Sequence, residues 1–105
     1  MDISLDGKVA GVTGGGSGLG RGFAQALADS GAPVAVTGRR LEPLEETVAL
    51  IEEAGGEALA VTCDVRSREQ VEACAQSIVE WKGTVDILVN NAGLEGSALV
   101  EKVKA

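Results

Sequence analysis

The sequence has 105 residues, of which 45% are hydrophobic, and a formal net charge of −7; this fits one domain of modest size and argues against binding to nucleic acid or an acidic membrane. Two cysteines eleven residues apart and the lack of histidine exclude a disulfide framework and a metal-ligand cluster. Since the apolar runs are too short to span a bilayer and the first residues form no signal peptide, we expect a soluble, cytoplasmic protein without a membrane partner.

Short valine-rich runs alternate with helical patterns along the chain, and this alternation predicts βαβ units and a parallel sheet. Right-handed crossovers then give the strand order 3-2-1-4, a Rossmann-type doubly wound α/β fold in which the carboxyl ends of strands one and four open a ligand-binding crevice. The third helix begins at a capping box formed by Ser67 and Gln70. We expect one domain over residues 1–93, with strands at 9–13, 34–37, 58–63 and 85–89 and helices at 18–30, 43–54 and 67–81.

Residues 94–105 form a tail outside this arrangement. Leu99, Val100 and Val103 are spaced to share one face of a helix, so we expect the tail to be either a short helix or sequence foreign to the domain. The fourth strand is then left with an open edge, and an edge of this kind invites pairing with another chain and thus self-association.

A glycine-rich segment, residues 13–20, follows the first strand and opens the first helix. Glycines here let the backbone approach a phosphate where any Cβ would collide, and the free N–H groups of the helix start attract negative charge. A P-loop is excluded because Arg21 follows the last glycine, where that motif needs lysine. The pattern T-G-x-x-x-G-x-G remains, although its glycines also read as the G-x-G-x-G of S-adenosylmethionine sites. The candidate nucleotide-binding residues are Gly14, Gly16, Ser17, Gly18, Leu19 and Gly20.

The end of the second strand carries Gly38, Arg39 and Arg40 and no acidic residue. A carboxylate at this point would bind the ribose hydroxyls of NAD or S-adenosylmethionine, whereas an arginine accommodates a 2′-phosphate. Two guanidinium groups in an acidic protein suit a phosphate monoester, the alternative being a pair of solvated loop arginines. Arg21, in the first turn of a helix, is also unfavourable against the helix dipole unless an anion lies nearby. We therefore expect NADP as the cofactor in preference to NAD.

Two further strand ends complete the expected site. Asp64 follows the third strand and either accepts a hydrogen bond from an adenine amino group or caps the turn. The Asn-Asn-Ala-Gly segment at 90–93 follows the fourth strand; its asparagines can tie neighbouring strands together, and its small residues leave room for a ribose. The candidate residues at these two ends are Asp64, Val65, Asn91, Ala92 and Gly93.

Taken in this order, the four segments closely resemble the N-terminal, cofactor-binding half of the classical short-chain dehydrogenase/reductase family, over about residues 5–93. The resemblance implies that the backbone of residues 14–19 holds a pyrophosphate and that Arg39, with Arg40, binds the 2′-phosphate of NADP. It also implies that Asp64 and Val65 lie at the adenine and that residues 91–93 pass beside the adenosine ribose.

The family's catalytic serine, tyrosine and lysine lie in the second half of its fold, and this sequence has no tyrosine. Hydride transfer to a carbonyl needs a proton donor. We therefore expect no catalytic residue and no turnover by this chain alone, which would be the NADP-binding portion of a truncated carbonyl or alcohol oxidoreductase. Two alternatives stay open: a stand-alone nucleotide-binding or assembly module, and a methyltransferase-like domain that binds S-adenosylmethionine.

Overall fold

Three helices and a five-stranded sheet make up the part of the chain that the structure describes. This computed structural model describes residues 4–16 and 18–91, together with the backbone of residues 99–102. No helix in these ranges is long and apolar enough to cross a membrane. The elements are β1 (Ala10–Thr13), α1 (Gly18–Asp29), β2 (Val34–Gly38), α2 (Leu41–Glu53), β3 (Ala58–Thr62), α3 (Arg68–Lys82), β4 (Ile87–Asn90) and β5 (Leu99–Lys102).

The strands lie in the order β3-β2-β1-β4-β5, and the first four run parallel. This arrangement confirms the expected order 3-2-1-4 and the doubly wound fold. The register places Thr13 of β1 beside Thr37 of β2 and Asn90 of β4. Because the four parallel strands end at the same edge of the sheet, the loops that follow them open on one side, at the edge where such folds bind ligands.

The tail differs from what its spacing predicts. Leu99–Lys102 is a strand rather than a helix, and it pairs antiparallel with β4 so that Val100 lies opposite Val89. The outer edge of β4 would otherwise present unpaired N–H and C=O groups, and pairing with that edge outweighs the weak helical preference of a few residues. The expected open edge of β4, and the route to self-association through it, is therefore absent from the described structure; Val103 lies outside the described residues.

Side chains alternate along the strands and enter two separate apolar layers, one beneath α1 and α2 and the other beneath α3. Because β2 and β3 contribute side chains to both layers, the sheet is covered on two faces, as the nearly continuous apolar strands predict. The first layer contains Val12, Ala24, Val36, Leu44 and Ile51, and the second contains Val9, Ala35, Cys63, Cys74 and Ile78.

Cys63 and Cys74 are both buried, free thiols. Burial raises the pKa of the Cys74 thiol to about 11, and the neighbouring Cys63 adds to the rise. Because the thiolate is the reactive form of cysteine, Cys74 stays protonated and unreactive near neutral pH and serves the packing of α3 on the sheet.

Candidate functional site

A groove runs along the edge of the sheet where the parallel strands end, and we call it the strand-end groove. It consists of two adjoining cavities of about 460 and 270 Å³, which share three lining residues, Gly14, Gly38 and Arg39. Both cavities are therefore parts of one surface that crosses the ends of β1, β2 and β3. The remaining lining residues are Gly16, Arg40, Pro43, Leu44, Cys63, Asp64, Val65 and Arg66.

The glycine-rich segment between β1 and α1 forms the floor of the groove. The Gly15 N–H donates to the carbonyl of Thr37 at 3.1 Å, which presses the segment against the end of β2. A Cβ at Gly15 would lie 2.7 Å from the Cβ of Val36, and a Cβ at Gly20 would collide with the carbonyl oxygen of Gly14. The absence of side chains here therefore lets a loop, a strand and a helix start approach one another more closely than any other residue allows. Ser17 lies outside the described residues.

The first turn of α1 borders this floor. Gly18 has a positive φ of 55°, Leu19 is half exposed, and the turn contains no acidic side chain. The first N–H groups of a helix have no partner within the helix, and they carry its positive dipole end. The floor therefore combines backbone that is free of side chains with a helix start suited to an anion.

Arg21 does not offer its charge to the groove, contrary to the expectation that an external anion balances it. Its Nη2 donates to the carbonyls of Gly16 at 2.6 Å and Pro43 at 3.0 Å and pairs with the carboxylate of Glu46 at 3.2 Å. Its Nε donates to the hydroxyl of Thr47 at 2.8 Å. The anion near this helix start is therefore an acidic residue of α2, and the arginine ties α1 and its preceding loop to α2.

Arg39 and Arg40 follow β2, and their exposed side chains line the groove. Neither guanidinium forms a hydrogen bond or an ion pair with the residues that the structure describes. Arg40 is also the N-cap of α2 and provides no side-chain acceptor for the first N–H groups of that helix. The end of β2 thus presents two uncommitted positive charges beside a helix start that also favours an anion.

Asp64 follows β3 and is held by Arg66, a residue that the sequence analysis did not identify. The carboxylate oxygens of Asp64 accept from Nε and Nη2 of Arg66 at 3.0 and 2.9 Å, and Oδ1 also accepts from the Arg66 backbone N–H at 2.9 Å. These bonds lower the pKa of Asp64 to about 2, and the charge of Arg39 contributes to the shift. Of the two roles expected for Asp64, the turn cap is present; the three-residue D-x-R spacing was the signal for its partner.

The capping box at the start of α3 also serves this turn. Ser67 Oγ accepts from the Gln70 N–H at 3.3 Å, as predicted, but the Gln70 side chain accepts from the backbone N–H of Asp64 at 2.9 Å rather than from Ser67. The turn that carries Asp64 and the exposed Val65 is therefore fixed to α3 as well as to β3.

We expect the carboxyl group of Asp64 to titrate near pH 2 and the Arg66→Gln substitution to move its pKa back towards the ordinary value of 3.8. Because the folded-state pKa is the lower one, the stability that this pair contributes is present above pH 3.8 and is lost as the pH falls towards 2. NMR titration of the side-chain carboxyl carbon measures both midpoints. Arg68→Gln is the control, since Arg68 pairs with Glu72 on an exposed face of α3; an Asp64 midpoint unchanged by Arg66→Gln would contradict the assignment.

The ends of β1 and β4 are joined by hydrogen bonds at the same edge of the sheet. The Thr13 hydroxyl donates to Asn90 Oδ1 at 3.1 Å and accepts from the backbone N–H of Asn91 at 2.9 Å. The Asn91 amide nitrogen lies beside Gly20, 3.1 Å from the place where a Cβ of that glycine would stand. The asparagines thus tie two strands together, as the sequence predicts. Ala92 and Gly93 lie outside the described residues.

Comparison with known proteins places this site in a family. A family model for short chain dehydrogenases matches residues 8–105. The chain is 49% identical over 88 residues to the short-chain dehydrogenase/reductase homolog YusS of Bacillus subtilis strain 168, covering 83% of this chain and 81% of that protein.

Two solved structures share the fold. The crystal structure of a hydroxysteroid dehydrogenase from Escherichia coli superposes with a TM-score of 0.86 at 40% identity, and that of the F189W actinorhodin polyketide ketoreductase with NADPH superposes with a TM-score of 0.81 at 46% identity. These comparisons cover 90% and 87% of this chain, which spans 40% and 35% of those two proteins. With its parallel sheet, its glycine-rich segment and its family match in agreement, the chain belongs to the short-chain dehydrogenase/reductase family of oxidoreductases, as the resemblance of its motifs predicts.

Proposed function

We propose that the strand-end groove binds NADP(H), and that this chain is the cofactor-binding portion of an oxidoreductase that transfers hydride between the nicotinamide and a carbonyl or alcohol. The observation that carries the proposal is the pair of exposed arginines after β2, which have no hydrogen-bond or ion-pair partner among the described residues. An NAD-selective site of this fold carries at this point a carboxylate for the ribose 2′-hydroxyl, whereas arginine suits a 2′-phosphate.

Different residues at the strand ends would bind different parts of the cofactor. The backbone of residues 14–19 and the start of α1 would hold the pyrophosphate, with Gly20 allowing the close approach. Arg39 and Arg40 would hold the 2′-phosphate, where a guanidinium can make two parallel bonds to phosphate oxygens. Asp64 and Val65 would lie at the adenine, and residues 91–93 would pass beside the adenosine ribose.

The local charge of the groove supports this proposal, because the groove is positive although the whole chain is acidic. The chain carries a net charge of −7, yet the described residues that line the groove include three arginines, Arg39, Arg40 and Arg66, and one acidic residue, Asp64. Since Arg66 pairs with both carboxylate oxygens of Asp64 and balances its charge, the groove keeps a net positive charge from Arg39 and Arg40. A positive groove on an acidic protein directs a polyanionic ligand to that groove.

The described groove residues are suited to binding rather than to proton transfer. Asp64 has a pKa of about 2, and the Asp64 carboxylate raises the pKa of Arg66 above its ordinary range, so neither group exchanges a proton near neutral pH. A general acid works best with a pKa near the working pH, and the sequence offers no tyrosine for that role. We propose that this chain alone binds the cofactor without turnover. The alternative, a stand-alone nucleotide-binding module, makes the same prediction for the chain and differs only in its biological role.

Titration of NADPH and NADH with the protein, followed by the fluorescence of the reduced nicotinamide, tests the proposal. Loss of one charge-assisted hydrogen bond in NADH corresponds to about 1.5–3 kcal/mol, so NADPH should bind at least roughly 10–100-fold more tightly. Equal affinities would contradict the assignment of the arginines to a 2′-phosphate, and binding of neither would contradict a nucleotide site. S-adenosylmethionine serves as the competitor and should displace neither dinucleotide.

A further inference from the structure

We propose that Thr47 and Arg21 are positioning residues that join the glycine-rich loop to α2, so that the pyrophosphate site and the 2′-phosphate site form one rigid unit. This inference rests on the proposed function. It extends that function to two residues that do not themselves line the strand-end groove. The sequence patterns gave Thr47 no role and took Arg21 only as a sign of a nearby anion, because the two residues lie 26 positions apart and meet only through the fold.

The contacts form a continuous polar network at the junction of α1, α2 and the loop. The Thr47 hydroxyl, fully buried, donates to the carbonyl of Gly15 at 2.7 Å and accepts from Nε of Arg21. The Arg21 Nη2 donates in turn to the carbonyl of Gly16 and to that of Pro43, the third residue of α2. Two successive loop carbonyls are thus held by side chains that belong to two different helices.

This network fixes the direction of the loop amides. In a trans peptide the C=O and the following N–H point to opposite sides, and the described residues contain no cis peptide bond. Holding the Gly15 carbonyl towards Thr47 therefore turns the N–H of Gly16 away from α2. Backbone N–H groups aimed in advance at the place of a phosphate cost no reorganisation when it binds.

The loop also contacts α2 directly. A Cβ at Gly16 would lie 2.8 Å from the Cβ of Pro43, which places the loop backbone in close contact with the first turn of α2. Arg39 and Arg40 are the two residues that precede this helix. The network therefore sets the distance between the loop amides and the two arginines, which would have to match the distance between the pyrophosphate and the 2′-phosphate of a bound NADP.

The test compares Thr47→Val, which keeps the side-chain volume and removes the hydroxyl, with Thr47→Ser, which keeps the hydroxyl. Binding of NADPH and of adenosine 2′-monophosphate is measured for each, since the second ligand carries the 2′-phosphate without the pyrophosphate. We expect Thr47→Val to weaken NADPH binding about tenfold, the equivalent of one hydrogen bond, and to change binding of the monophosphate less than about twofold. Thr47→Ser should recover most of the NADPH affinity.

Thr84→Val is the matched control. Thr84 precedes the amino end of β4, whereas the strand-end groove lies at the carboxyl ends of the strands. Arg21→Lys supplies a second variant in case Thr47→Val unfolds the chain. It keeps the positive charge but loses the planar guanidinium with its several donors. It should weaken the binding of NADPH more than the binding of adenosine 2′-monophosphate. Equal weakening of both ligands by Thr47→Val would mean a general structural role and overturn the proposal, as would unchanged affinity for both.

Amide hydrogen exchange at Gly16 in the ligand-free protein separates this inference from the proposed function. If the wild-type chain binds neither ligand, the nucleotide assignment fails, whereas the positioning role still requires faster exchange of the Gly16 N–H in Thr47→Val than in wild type and Thr47→Ser. Identical exchange in all three proteins would overturn the positioning role whatever the binding data show.

Discussion

Replacing Arg39 with alanine is expected to weaken NADP(H) binding by about 10–100-fold and to leave NAD(H) binding nearly unchanged. Arg39 lines both cavities of the strand-end groove and makes no hydrogen bond or ion pair with a described residue, so its removal leaves no buried partner unsatisfied. The loss should therefore fall on the ligand rather than on the fold. Calorimetric titration with NADP and NAD, together with a thermal melt of the free protein, measures both effects.

Arg68→Ala is the control for this substitution. Arg68 has the same charge, and its side chain is 92% exposed on α3, where it pairs with Glu72. It should change the affinity for either dinucleotide less than about twofold, since an exposed ion pair outside the groove contributes little. Equal losses for NADP and NAD in Arg39→Ala would indicate a contact with the shared part of the cofactor, and equal losses in the two variants would indicate a nonspecific charge effect.

Gly20→Ala is expected to destabilise the protein by about 3 kcal/mol, the upper end of what overpacking usually costs, and to abolish dinucleotide binding. The new Cβ would overlap the carbonyl oxygen of Gly14, and a backbone atom cannot turn aside as a flexible side chain does. The loop must shift away from α1, and its amides then lose their common direction. For a chain of this size the change corresponds to a fall in Tm of roughly 12–24 °C.

Gly22→Ala provides the matched control within the same helix. No heavy atom lies within 4 Å of the place where its Cβ would stand, and alanine favours a helix over glycine by about 1 kcal/mol. The melting temperature should stay the same or rise, with binding retained. A Gly20→Ala protein as stable as wild type would show that the loop has room to move and would remove the close-packing argument.

The sequence predicts those structural features that depend on residues close together in the chain. It fails where a feature depends on residues far apart in the chain. The glycine-rich turn, the alternation of strands and helices and the Ser67 cap are local, and each was predicted with its place in the chain. Of the two possibilities expected for the tail, a short helix or foreign sequence, the helix is wrong for residues 99–102, because their partner β4 supplies the hydrogen bonds that decide their conformation.

The same distinction holds within the candidate site. The location of the two arginines could be predicted, because they come directly after β2 in the sequence. The structure places them with Gly14 and Asp64 along one groove. The hydrogen bonds of Arg21 to α2 were not predicted. Nothing in the sequence distinguishes its partner Thr47 from other residues of α2, because the two side chains meet only when the helices pack. The cofactor-binding roles of the groove residues remain predictions, as do those of Ser17, Ala92 and Gly93, which lie outside the described residues.

The bond between the Asn91 N–H and the Thr13 hydroxyl joins residues 78 positions apart, and this separation has a consequence for folding. The units from β1 to β3 pair neighbours along the chain, whereas β4 returns across the whole segment to dock beside β1. Contacts of such high sequence separation form late, because the closure entropy of the long loop must be overcome first. We therefore expect the junction of β1 and β4 at Asn91 to be completed last, and any ligand that requires this junction to stabilise the fully folded chain against partly folded forms.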